Sequence, residues 1–502
     1  MLMGYDVGII SGAILFITEE MELTVWKEEM IVGSLNIVAA FGAIAAGFFA
    51  NRFGRKRTLE FAAIVFLAGA VLLAAAPNFE SLMAGRILTG IGVGFAMMIG
   101  PLYSAEISPA KVRGFLVSFT EIFVDVGIVL GYIVGFAFQF LDPKYNWRLM
   151  LGVAAIPAVL LGLGTIFILP ESPRWLVMRG RYDEAMCVLE RTICADGCNG
   201  GNARERLEDI IDANELELVG TTTVGWQKFH FSNILDVCRS ASFQALAKMY
   251  CAAIGINFFQ QAAGIEATVY YSPVIFKVAG VTSRLGMLGA TLCVGVVKLG
   301  FVLVATFTLD KVGRKKLLML SSAGMMASLL VVCATFKVNG INIDSTTSGV
   351  VHGSFGMPWR GVARHSLPAN IAEPANSVAI ITVVAICSFV AFFSMGWGPI
   401  AYVISSEIFP LKHRSKALGW SMFVNRVVSG AVAFTFLSIS EGITLTGTFT
   451  TFCATTIIAV IFITYIVPET KGKTLEELGG ACSAASLPKC GSTSHLDAPL
   501  LI

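Results

Sequence analysis

Seven ionisable side chains interrupt stretches that are otherwise apolar: Asp6, Arg86, Glu121, Asp125, Glu266, Lys298 and Arg426. Placed mid-helix in hydrocarbon, each costs ~2.5–3.5 kcal/mol on insertion scales, so each should face a protein interior and find a partner there. A single such residue is as readily a strut between helices as a working group. Seven of them, spread over both halves of the chain, favour a polar pathway. Asp6 and Arg86 form the sharpest pair. Burial disfavours an ionised carboxylate and a nearby guanidinium favours it. An aspartate whose distance from an arginine changes between two states therefore takes up a proton in one and releases it in the other. The plainer alternative is a fixed ion pair tying two segments together. A second constellation suits the recognition of vicinal hydroxyls, which needs amides, carboxylates and an aromatic face. Gln260 and Gln261 open it, Glu266 follows under two turns later and off their face, and Tyr270 lies one turn beyond. Glutamine pairs also serve as glue between helices, but Gly264 and Pro273 nearby point to a helix interrupted where it lines a cavity.

The segments that must hold these residues are long and apolar. Of 502 residues, 55% are hydrophobic and 14% charged, where a soluble chain averages about 25% charged. Mean hydropathy is +0.75. Such a chain cannot bury its side chains in one aqueous core, and its 50 glycines fit the close packing of membrane helices. A net charge of +2 gives no field that would recruit nucleic acid. These totals exclude a soluble enzyme, a disordered regulator and a DNA binder. A membrane helix needs roughly 20 mostly apolar residues. Twelve are expected, near 1–17, 30–50, 58–76, 82–104, 114–141, 147–169, 245–276, 285–309, 317–336, 377–403, 416–439 and 444–467. The fold class is thus an all-α membrane protein with an N-terminal six-helix bundle over 1–169 and a C-terminal one over 245–467. Between them, 170–244 reads as a loop with short surface helices, and 468–502 is a tail.

Lysine and arginine follow the even-numbered spans, which puts both termini and the 170–244 loop in the cytoplasm. Only five residues precede Asp6, so the first helix starts part-way through what should be a longer apolar run. With no basic segment before it, a truncated gene model is expected rather than a signal peptide. The eleven cysteines lie mostly in spans, the middle loop or the tail, so no disulfide is expected. Cys187, Cys194 and Cys198 lack a fourth ligand, so no metal is expected either, and no cofactor motif is present.

The chain repeats itself. Asn51-Arg52-Phe53-Gly54-Arg55-Lys56 recurs as Asp310-Lys311-Val312-Gly313-Arg314-Lys315. Glu106-Ile107-Ser108-Pro109 through Arg113 recurs as Glu407-Ile408-Phe409-Pro410 through Arg414, and Pro170-Glu171-Ser172-Pro173-Arg174 as Pro468-Glu469-Thr470. Each copy sits at the same edge of its spans, so the halves are parallel repeats. Gly54 and Gly313 allow tight reversals, and their cations can meet Glu106, Glu171, Glu407 and Glu469. Such a network, with Arg55, Arg113, Arg174, Asp310, Arg314 and Arg414, would lock the cytoplasmic side and break as the halves rock. Positive-inside topology alone accounts for the cations but not for the recurring glutamates. The second half carries an extra segment, 337–376, which is either an extended extracellular loop or intron-derived sequence kept in the gene model, with a lean to the latter.

Two six-helix repeats with these motifs resemble the sugar porter family of the major facilitator superfamily. The markers are Gly4-Tyr5-Asp6, Gly54-Arg55-Lys56, Arg86, Pro170-Glu171-Ser172-Pro173-Arg174, Gln260-Gln261 and Pro468-Glu469-Thr470. Ser118-Phe119-Thr120-Glu121, the run from Gln260 to Glu266 and Val296-Val297-Lys298 look most like plant polyol/monosaccharide:proton symporters. The resemblance implies that Asp6 carries a proton with Arg86 modulating it, since facilitative relatives often have Asn there. It implies a substrate site of Gln260, Gln261, Glu266, Tyr270, Glu121, Lys298, Tyr402 and Asn425. Several of these depart from the hexose porters, where Gln is usual for Glu121, Asn for Glu266 and Lys298, and Trp for Tyr402. The added charges would bind extra hydroxyls of a linear polyol, or Glu121, Glu266 and Lys298 would simply neutralise one another. Asn51 replaces the family's Asp, which would loosen the first lock relative to its Asp310 counterpart. The implied function is proton-coupled symport of a small polyol or monosaccharide by a monomer in the plasma membrane, or in the vacuolar membrane, without cofactor, metal or nucleic acid. A facilitative sugar or inositol uniporter and a non-transporting sugar sensor are the alternatives.

Overall fold

The computed structural model describes residues 1–108, 113–194, 203–212, 241–281, 283–339, 376–409 and 411–467. Nearly all of the 337–376 segment and the 468–502 tail lie outside them. Every regular element among the described residues is helical. The first six spans are α1 (Leu2–Met21), α2 (Val25–Phe53), α3 (Arg55–Ala74), α4 (Phe79–Ile107), α5 (Arg113–Phe138) and the pair α6 (Pro143–Gly152) and α7 (Ala155–Phe167). Short α8 (Pro173–Met178) and α9 (Tyr182–Cys194) follow. Trp175, Leu176 and Val177 of α8 and Ala185 of α9 form a small separate core, against which Leu207, Ile210 and Ile211 pack. The chain then continues as α10 (Ala241–Ala262), α11 (Ile265–Tyr270), α12 (Ser272–Val278), α13 (Arg284–Val312), α14 (Arg314–Val338), the pair α15 (Asn376–Met395) and α16 (Trp397–Glu407), and α17 (Leu411–Tyr465).

Among the described residues, eleven stretches are long and apolar enough to cross a membrane, α17 supplying two because it bends at Thr444. The remaining expected span, 245–276, is the broken run α10–α12. It breaks where the sequence indicated: Gly264 takes φ 81°, in the left-handed region, and Pro273 opens α12. A side chain at Gly264 would collide with the ring of Phe452, so the break is also packed shut.

The helices that carry charges are fixed locally. Asn78 and Ser81 make a reciprocal cap at the start of α4, which carries Arg86. Ser283 Oγ accepts the Gly286 N–H at 3.0 Å and opens α13, which carries Lys298. The two expected reversals match each other closely, with φ 98° at Gly54 and 99° at Gly313, each ending one long helix and starting the next.

Glycine sets the depth of α1. A Cβ at Gly4 would lie 1.8 Å from the Val124 carbonyl oxygen, and one at Gly8 2.4 Å from that of Ile128. In the reverse direction, a Cβ at Gly127 would lie 2.4 Å from the Met1 carbonyl oxygen and one at Gly131 2.6 Å from the Ile9 nitrogen. The two backbones touch along this seam, as small residues permit in membrane helix pairs. Asp6 lies on α1 between Gly4 and Gly8, so this contact positions it.

Candidate functional site

Between the first and second groups of helices lies a cavity lined from both. Its wall includes Met3 and Val7 of α1, Glu121 of α5, Gln260, Gln261 and Glu266 around the break in span seven, Lys298 of α13, Phe393 of α15, Tyr402 of α16 and Arg426 of α17. Six of the eight expected substrate residues therefore share one wall. The other two stand behind it: Asn425 donates to Gln260 Oε1 at 2.6 Å and accepts from Gln261 Nε2 at 3.2 Å, and the Tyr270 hydroxyl accepts from Asn36 Nδ2 at 3.2 Å.

One pair crosses between the two groups of helices and one lies within the second, so Glu121, Glu266 and Lys298 do not form one mutual neutralisation. Lys298 Nζ meets Asp125 Oδ1 at 2.5 Å and stands 3.9 Å from Glu121 Oε1. Arg426 Nη1 meets Glu266 Oε1 at 2.8 Å, and Glu266 Oε2 accepts from Asn36 Nδ2 at 3.1 Å and from Ser429 Oγ. Gln260 Nε2 donates to the Trp397 carbonyl at 2.9 Å, across the break between α15 and α16. The amides continue inward, Asn425 Nδ2 donating to Asn257 Oδ1 and Asn257 Nδ2 to Ser405 Oγ.

Asp6 and Arg86 meet beside the cavity rather than on its wall. Arg86 Nη1 donates to Asp6 Oδ2 at 2.5 Å, both residues are 1% exposed, and the neighbours Met3 and Val7 reach the cavity. Asp6 Oδ1 and Arg86 Nε and Nη2 have no hydrogen-bond partner among the described residues. Each of these atoms has room in its chemistry for a further partner such as a water.

At the Gly54 end, Arg55 Nη2 and Nε grip Glu106 Oε1 and Oε2 at 2.6 and 2.8 Å, a two-pronged pair. Ser172 Oγ donates to Glu106 Oε2 at 2.5 Å, and Arg174 turns its charge towards the same carboxylate. Glu171 Oε1 accepts the backbone N–H groups of Arg55 and Lys56 at 2.8 and 3.2 Å, where α3 exposes its unpaired donors. These bonds join parts of the first six-helix group to one another and to the segment that follows it. In the second group Arg314 is buried in the place equivalent to Arg55. The side chains of Arg113, Asp310, Glu407 and Arg414, and the whole of Glu469, lie outside the described residues.

Comparison with known proteins now places this architecture. The family model described as "Sugar (and other) transporter" matches residues 1–480. The chain belongs to this sugar transporter family. It is 42% identical to "Probable polyol transporter 4" of Arabidopsis thaliana over 479 residues, covering 95% of this chain and 82% of that relative. "Polyol transporter 5" of the same plant is 41% identical over 480 residues, covering 95% of this chain and 83% of the relative. Among solved structures, the E. coli protein XylE, described as a major facilitator superfamily proton:xylose symporter bound to 6-bromo-6-deoxy-D-glucose, superposes with a TM-score of 0.74 at 27% identity. That match covers 96% of each chain. This sugar-transporter chain has the major facilitator fold, twelve membrane-spanning helices in two six-helix pseudo-repeats.

Sequence reasoning missed some residues of the site in this family member. Asn36 and Ser429 bind the cavity side chains and Asn257 binds Asn425 behind them, yet each is a lone polar residue in an apolar run, with no repeat or motif to single it out. Asn36 and Asn257 carried the one available signal, an amide inside an expected span. Asp125 and Arg426 were among the seven intramembrane charges but were not assigned to the substrate site.

Proposed function

We propose that this chain is a secondary active transporter that carries polyols and/or monosaccharides together with protons by alternating access. The observation that supports it best is the pairing of two features in one place. A hydroxyl-binding cavity lies between the two helix groups, and beside it sits an incompletely satisfied, fully buried Asp6–Arg86 pair. The polyol transporters of Arabidopsis and the proton:xylose symporter lend the substrate class and the coupling ion.

In this reading Asp6 binds the proton when Arg86 withdraws and releases it when the guanidinium returns. Gln260, Gln261, Glu266, Glu121, Lys298 and Tyr402 contact the substrate, with Tyr270 and Asn425 fixing their orientation. The Gly54 end is cytoplasmic, as the flanking lysines and arginines indicate. There the Arg55–Glu106 and Glu171 contacts, with Arg113, Arg174 and their second-half counterparts Asp310, Arg314, Glu407, Arg414 and Glu469, hold the cytoplasmic gate. The protein acts as a monomer in the plasma membrane and imports its substrate, with the bundles 1–169 and 245–467 rocking about the cavity. Purified protein in sealed vesicles tests this. An imposed inward proton gradient should drive sorbitol or a monosaccharide above its external concentration, and a protonophore should abolish that accumulation. Equilibration without accumulation would make the protein a facilitator instead.

A further inference from the structure

The polar atoms on the cavity wall divide into those already bonded and those left open. The two cations are matched one to one, Lys298 with Asp125 and Arg426 with Glu266. Gln260 is bonded at both ends of its amide. Besides the Tyr402 hydroxyl, two acceptors remain. The Glu121 carboxylate is 6% exposed and makes no hydrogen bond among the described residues, its one ionic neighbour Lys298 standing 3.9 Å away. Gln261 Oε1 is buried without a partner, although its own amide N–H bonds Asn425. Both side chains line the cavity. A ligand that fills it must therefore bring donors, and Glu121 offers it a carboxyl group whose neighbour Lys298 is already bonded to Asp125.

Charge-assisted hydrogen bonds are roughly twice as strong as neutral ones, so the donor that gains most at Glu121 is an ammonium. Resting on the transport reading above, we propose that the cavity takes polyhydroxylated amines, amino alditols and amino sugars, in preference to their neutral counterparts. The ammonium sits on Glu121 and an adjacent hydroxyl donates to Gln261 Oε1. Tyr402 faces Glu121 and completes that end of the site with a hydroxyl that both donates and accepts.

The test is equilibrium binding to the purified full chain at neutral pH, with three probes on one carbon skeleton: 1-amino-1-deoxy-D-glucitol, its N-acetyl derivative and D-glucitol. The amine should bind about tenfold tighter than either neutral compound. In Glu121→Gln the ratio of amine to neutral affinity should fall to about one, and in Glu121→Asp most of it should survive. The N-acetyl comparison needs no variant, so a misfolded Glu121→Gln would not shield the idea. Equal binding of amine and N-acetyl compound by the wild-type chain overturns the inference, as Glu121 would then be neutralised by a proton. A preference that persists in Glu121→Gln overturns it too. Binding of none of the three would bring down the transport reading with it, whereas D-glucitol binding without amine preference removes this inference alone.

Discussion

Among single residues, the decisive contact is the lone hydrogen bond between Arg86 and Asp6, both nearly inaccessible. Removing one partner of such a pair strands the other charge, which typically costs about 3–5 kcal/mol, whereas replacing both costs far less. Arg86→Ala should therefore lower the melting temperature in detergent markedly, and the double variant Asp6→Asn with Arg86→Gln should regain most of the loss. An equal loss in both would mean that packing, not charge, governs the site. The presence of both residues was legible in the sequence because a charge in an apolar run has no cheap place to be. Partner choice was less so. Lys298 joins Asp125 and Arg426 joins Glu266, and these pairings depend on how far α5, α13 and α17 are rotated and sunk against one another. No local period encodes that.

For the elements, glycine is the informative residue. The contact between α1 and α5 leaves no room for a methyl at Gly4 or Gly8, where the obstructing atoms are backbone carbonyl oxygens that cannot swing aside. Gly8→Val should push the helices apart, cost about 1–3 kcal/mol and displace Asp6 from Arg86. Gly164→Ala, where nothing lies within 4 Å, should be neutral. Thermal stability and folded yield compare the two directly. Gly54 combines a positive φ of 98° with a Cβ position 2.3 Å from Glu171 Oε2. Gly54→Ala should thus both strain the turn and dislodge Glu171 from the start of α3, slowing transport more than it lowers substrate affinity. A change confined to affinity would argue that this end takes no part in gating. The reversals at Gly54 and Gly313 and the break at Gly264 were readable because turn chemistry is local. The α1–α5 seam was foreshadowed only as an excess of glycine, since which helix meets which is a property of the assembled bundle.

Across the whole molecule, the two helix groups are tied at the end of α2 remote from Gly54, about 40 Å away along that helix. Ser438 N–H and Oγ donate to Glu29 Oε1 at 3.1 and 3.0 Å, and the rings of Trp26 and Phe434 meet at 4.7 Å. Alternating access requires this contact to open in every cycle. A disulfide or short cross-link between Trp26→Cys and Phe434→Cys should arrest transport, and reduction should restore it. Undiminished transport by the cross-linked protein would refute rocking at this end. Twelve spans in two parallel repeats were legible from hydropathy and from the recurring Gly-Arg-Lys turns. The joining of α2 to α17 and of α5 to α13 was not, because it is made between residues hundreds of positions apart. The whole account turns on whether Asp6 couples the proton to the substrate. The most direct measurement is uptake by Asp6→Asn in vesicles, comparing gradient-driven accumulation with substrate counterflow at symmetric pH. Accumulation should vanish while counterflow persists. Accumulation at the wild-type level would contradict the account.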